Sequence, residues 1–126
     1  MVARVVRLGT PRSEAEGIGT VRRPPRGVPK SELASRNWYD VWLPMLAPSA
    51  EVVKLAHTAD SPAQWATFKR RYLAEMAKPD PSRVLDLLAA LSHHTNYSVG
   101  CYCEDEAHCH PSVLRRLLIE KKARVE

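Results

Sequence analysis

The amino-acid sequence predicts a small α/β domain, a short and mostly parallel sheet flanked by helices. Three observations lead there. Valine-rich RVVRLG and GIGTVRRP near the N-terminus and NYSVGCYCE near the C-terminus have the composition of strands. The stretches between and after them carry apolar residues at three-to-four spacing, the period of helices packed on one side. Strands interrupted by helices pair in parallel, because each crossover returns the chain to the same end of the sheet. The length agrees: 126 residues, 44% hydrophobic and 26% charged, make one domain over residues 1–126 that can bury a core without staples.

RVVRLG alternates loosely and is the first expected strand. TPRSEAEG follows as a turn by composition. GIGTVRRP is the second strand, with Ile18, Thr20 and Arg22 on one side and Gly19, Val21 and Arg23 on the other. Pro24 and Pro25 end it, since neither can donate to a ladder. From Ser31 to Leu46 the reading is helical in pieces, through Trp38, Val41, Trp42 and Met45, until Pro44 interrupts. Ser49 caps a short helix in APSAEVVKLAHT. Ser61 caps a longer one, with Pro62 at its first position, where a missing N–H costs nothing. Trp65, Phe68, Tyr72 and Met76 then recur at helical spacing, as core residues do. Asp80 or Ser82 is expected to cap the next helix, whose VLDLLAALSHH is apolar nearly all round and implies deep burial. NYSVGCYCE is the last strand. HPSVLRRLLIEKKAR is the last helix, with Val113, Leu114, Leu117 and Leu118 inward and its cations towards the dipole's negative end. Three strands make a thin sheet, which leaves room for a fourth strand or for an edge completed by a partner chain.

Composition excludes several classes. The longest apolar run, VLDLLAAL, carries Asp86, and MVARVVRLG has no signal-peptide core, so the chain reads as cytoplasmic with no membrane partner. Three cysteines are an odd number, and in such a chain they read as thiols, metal ligands or buried small residues before disulfides. The net charge of +5 is local. Residues 1–36 hold eight Lys/Arg against three Glu, while the remaining ninety balance eleven bases with eleven acids. A surplus gathered around TVRRPPRGVPK favours one anion site over a basic coat, and nucleic acid is only weakly supported as a partner.

GTVRRPPRGVPK, NWYDVWLPMLAPS, the W-x2-F-x3-Y of QWATFKRRY and VGCYCEDEAHCHPSVL occur in one order, and together they resemble the YeaO-like proteins, domain of unknown function 488. The resemblance runs from residue 4 to about 118. It implies a compact bacterial or archaeal α/β domain with Rossmann-like layering, and it supplies no activity and no cofactor. The family's C-terminal motif usually reads C-H-R, whereas this chain has Cys109-His110-Pro111. If that arginine binds an anion, Arg115, Arg116 or the arginines of the PPRG loop would have to replace it.

The stretch CYCEDEAHCHPSVLRR holds all three cysteines and offers several chemistries. Cys101, Cys103, Cys109 and His110 could ligate a metal. However, a C-x-C on an extended strand keeps its sulfurs roughly 7 Å apart, a poor fit to one tetrahedral ion. His108-Cys109 and Arg115 satisfy the H-C-x5-R pattern of cysteine phosphatases. That chemistry needs a ring of backbone N–H groups around phosphate, and HPSVL has no glycine and a proline without N–H. Cys109 beside a helix N-terminus, flanked by His108 and His110, retains a redox or nucleophilic reading, opposed by the acids Glu104, Asp105 and Glu106. The reading that joins most features is a cleft for an anionic small molecule, a nucleotide or other phosphate, with or without catalysis. In open α/β sheets ligands collect beyond the carboxyl ends of strands. There Arg22, Arg23, Arg26 and Gly27 would hold the anion with Arg115, while Glu104, Cys109 and a near-neutral His110 would face it as catalytic candidates. The bland counterpart is an internal Arg–Glu104 pair that fixes the two loops. A different class, a non-catalytic module touching nucleic acid or protein through the N-terminal basic patch, stays open.

Overall fold

A computed structural model describes residues 2–8, 16–21, 25, 27–36, 38–101 and 110–126, without the side chains of residues 16 and 111. Four strands, β1 (Ala3–Arg7), β2 (Glu16–Gly19), β3 (Val41–Trp42) and β4 (Tyr97–Cys101), form one sheet in the order β1-β4-β2-β3. Every pairing is parallel. Four helices, α1 (Ala50–Thr58), α2 (Pro62–Met76), α3 (Pro79–Leu91) and α4 (His110–Glu120), complete the expected α/β layering. In register, Val5, Val99 and Ile18 lie abreast on one face. That face shares a single core with Val52 of α1, Phe68, Tyr72 and Met76 of α2, Leu85 and Leu88 of α3, and Val113, Leu114 and Leu118 of α4. A smaller cluster of Leu8, Val21, Tyr39 and Cys101 sits where β1, β2 and β4 end.

The fourth strand lies inside the segment expected to be helical. Residues 31–46 form a 3-10 turn at Lys30–Glu32, the two-residue β3, and a second 3-10 turn at Pro44–Leu46. Tertiary pairing overrides the three-to-four spacing. The Asp40 N–H donates to Gly17 O at 2.8 Å, the Gly17 N–H to Asp40 Oδ2 at 2.7 Å, and the Leu43 N–H to Gly19 O at 2.8 Å. These bonds recruit 40–43 to the sheet edge, and Pro44 could not have continued a helix's bonding pattern.

The Ser49 and Ser61 caps form as the residue types require. The Ser49 Oγ accepts from the Val52 N–H, and the Ser61 Oγ from the Gln64 N–H, at 3.4 and 3.2 Å. Helix α3 departs from expectation in its start and in its burial. It begins at Pro79, after Lys78, with no side-chain cap, so neither Asp80 nor Ser82 caps it. Only Leu85, Leu88 and Ala89 are buried along it, whereas Leu87 is 59% exposed. A helix packed on one side leaves an outer face open, however apolar its sequence.

Close approach explains two glycines. A Cβ on Gly100 would run into the backbone carbonyl of Val6, and one on Gly19 would run into the ring of Tyr39. Tyr39 thus lies flat on β2, on the opposite face from Ile18.

Candidate functional site

β2 and β4 are neighbours, both parallel, so they end at the same edge of the sheet. β2 is shorter than its sequence pattern suggested: it closes at Gly19, and Thr20 and Val21 follow in irregular backbone. Thr20 nevertheless stays attached to β4, because its N–H and its Oγ1 both donate to Gly100 O at 3.0 Å. The arginine segment begins immediately after Val21, and the Cys/His segment immediately after Cys101. The roots of the two loops are therefore adjacent.

His110, the first residue of α4, ties these roots together. Its Nε2 lies 2.8 Å from Thr20 O and 3.2 Å from Thr20 Oγ1. A carbonyl oxygen can only accept, so Nε2 carries the proton and Nδ1 the lone pair. The ring is 6% exposed and meets Tyr72 edge-on, centroids 5.5 Å apart. Burial lowers its pKa to about 4, only partly offset by the bond to Thr20 O, because an imidazolium would lose its hydration. The near-neutral imidazole expected here is instead a neutral group at physiological pH. Tyr72 is fully buried, donates to Leu46 O at 2.7 Å, and has its pKa raised by burial. Trp65, Phe68 and Tyr72, placed on one side of α2 by their spacing, form a stacked series that ends on His110.

The other candidates divide. Cys101 is a buried cysteine, 3% exposed, in the cluster with Leu8, Val21 and Tyr39, which is the ordinary fate of a strand cysteine. No group of three His, Cys, Asp or Glu that could hold a metal occurs among the described residues. Gly27 is exposed and left-handed, with φ of 74°, so it reverses the chain after the arginines where a side chain would be strained. Arg115 is not part of this junction. Its guanidinium donates to the Glu126 carbonyl at 2.6 Å, and the Glu126 N–H donates to Ala3 O, at the opposite end of the sheet. Helix α4 runs away from the junction, so a residue more than one turn along it is carried off the edge. Arg22, Arg23, Arg26, Cys103, Glu104 and Cys109 lie outside the described residues.

Sequence reasoning missed Thr20, although its shared parity with Ile18 already placed it on the helix-covered face. It also missed the pairing of Tyr72 with His110, which no local pattern signals. Beside the junction, a cavity of about 470 Å³ opens between residues 28–34 and β3, lined by Val28, Lys30, Leu33, Tyr39, Asp40 and Trp42.

Fold and junction define a small parallel α/β domain in which the buried histidine that opens α4 holds the backbone following β2, itself bonded to β4. The chain belongs to the active DUF488-N3 subclade, DUF488-N3a, whose family profile matches residues 3–122. No curated protein and no solved structure matches the chain.

Proposed function

We propose that the carboxyl edge of β2 and β4 carries a cleft for a small anion of nucleotide or phosphate type. Its walls are the arginine loop, with Arg22, Arg23, Arg26 and Gly27, and the Cys/His loop, with Glu104 and Cys109. The observation that supports it is the 2.8 Å contact between His110 Nε2 and Thr20 O, which joins the roots of both loops. Crevices beyond the carboxyl ends of parallel strands are where such folds bind ligands. In this reading the arginines hold the anion and Glu104 exchanges protons. His110, neutral and buried, acts as a positioning residue. On the resemblance to YeaO-like proteins we place the protein in the cytoplasm of a bacterium or archaeon.

Calorimetric titration with inorganic phosphate and pyrophosphate tests the cleft. Arg26→Ala and Arg23→Ala are expected to weaken binding about tenfold each, as loss of a charge-assisted contact does, with Tm unchanged. No binding at millimolar concentration, or equal binding by the double variant, would sink the reading.

The clustering of the +5 charge in the first 36 residues favours one alternative, a nucleic-acid or protein-binding module without catalysis. That alternative requires duplex or single-stranded DNA or RNA to bind with a steep salt dependence. Such binding would have to vanish in a variant lacking Arg22, Arg23 and Arg26 while surviving Glu104→Gln.

A further inference from the structure

The cavity beside β3 has a construction that the anion reading alone does not use. It begins where the arginine loop ends: Arg26 and Gly27 are followed directly by Val28, which lines it together with Lys30. Its volume of about 470 Å³ falls in the range of pockets that enclose small organic ligands, well beyond what bare phosphate needs. Val28 and Leu33 supply apolar wall, while Lys30 and Asp40 supply charge of both signs.

Two aromatic rings complete it, and both are held in place before any ligand arrives. The Trp42 Nε1–H donates to Val21 O at 2.6 Å, so the indole is tethered to the end of β2 even though the residue is 42% exposed. Tyr39 lies against Gly19, and its buried hydroxyl has no hydrogen-bond partner among the described residues. A half-exposed tryptophan is costly to leave in water, and an orphaned buried hydroxyl is also unfavourable. A tethered, half-exposed indole on a cavity wall is what a site built for a flat ring would present.

We propose that this cavity seats the heterocycle of a nucleoside monophosphate, stacked on Trp42, whose phosphate is the anion of the reading above. The proposal rests on the anion reading above and narrows its ligand from any phosphate to one carrying a flat ring. Stacking on an aromatic side chain is tolerant of base identity, so discrimination lies between a nucleotide and a sugar phosphate, and the four bases are treated alike.

The experiment is calorimetric titration of the full chain with AMP, GMP, CMP and UMP, with ribose 5-phosphate, and with adenosine. Wild-type protein is expected to bind each of the four nucleotides about tenfold or more tighter than ribose 5-phosphate, the size of effect that base–aromatic stacking produces. Trp42→Ala should bring that ratio close to one without changing the affinity for ribose 5-phosphate, and Trp42→Phe should restore part of it. Equal binding of all four nucleotides and ribose 5-phosphate, or a ratio untouched by Trp42→Ala, overturns the proposal while the anion cleft stands. If no phosphate compound binds, the anion cleft fails. Adenosine binding lost in Trp42→Ala would then still support the ring site, and absence of adenosine binding would overturn it too. Circular dichroism of each variant guards against reading a misfolded protein as a failed site.

Discussion

His110 concentrates the chemistry that can be argued at the scale of one residue. Its side chain was legible in the sequence as a candidate, but its protonation was not, because the cause is tertiary burial against Tyr72 and Thr20. The unfolded chain carries a histidine with pKa near 6.5, and the folded one holds it at about 4. The unfolded state therefore binds more protons between these values. The stabilisation is complete above pH 6.5 and is lost as pH falls towards 4, on the order of 3 kcal/mol in all. His110→Gln keeps a donor for Thr20 O and removes the titration. Urea unfolding at pH 7.5 and 4.5 should show wild type losing about 2–3 kcal/mol more than the variant across that interval. Parallel pH profiles for the two proteins would show that His110 is not buried as described. Cys101 gives the opposite lesson: the strand pattern foresaw a buried small residue, and that is its environment.

At the scale of elements, local chemistry was decisive where a helix could be recognised by its own ends. Ser61 and Pro62 mark the start of α2 because a hydroxyl acceptor and a residue without N–H satisfy the first turn wherever it occurs. Ser61→Ala is expected to cost about 1 kcal/mol, a typical value for a lost N-cap, and to lower Tm by a few degrees in a calorimetric scan. An unchanged Tm would mean that the cap contributes nothing measurable. Two elements were illegible for the same reason. The region 31–46 has helical spacing, yet residues 40–43 bond to Gly17 and Gly19 of β2, partners some twenty positions away. Helix α3 looked buried all round, but its neighbours cover only the side bearing Leu85, Leu88 and Ala89. Periodicity reports which residues share a face, not what that face meets.

At the scale of the whole molecule, the strand order places β4 between β1 and β2, with all five of its residues buried, and leaves two-residue β3 at an edge. Stability should follow that order. Hydrogen exchange is expected to find the amides of Val99 and Gly100 protected to the level of global unfolding, whereas the edge at Val41 and Trp42 opens locally and exchanges sooner. Comparable protection in both strands would contradict the described sheet. The other end of the sheet is closed by the chain's own last residues, through the bridge of Ala3 to Val125 and the bond from Arg115 to Glu126. That closure holds the Arg115 guanidinium at Glu126, a contact invisible in the spacing of the C-terminal motif. The sequence by itself determined the α/β class, three of the four strands, the caps of α1 and α2, and the family, since each depends on composition or on residues close in the chain. Only the tertiary structure decided that β2 and β4 are neighbours and that Thr20 meets His110. It alone formed the cavity that Trp42 and Tyr39 line together. These depend on contacts between residues ninety and twenty-odd positions apart, and no local pattern encodes which distant partner a strand end will find.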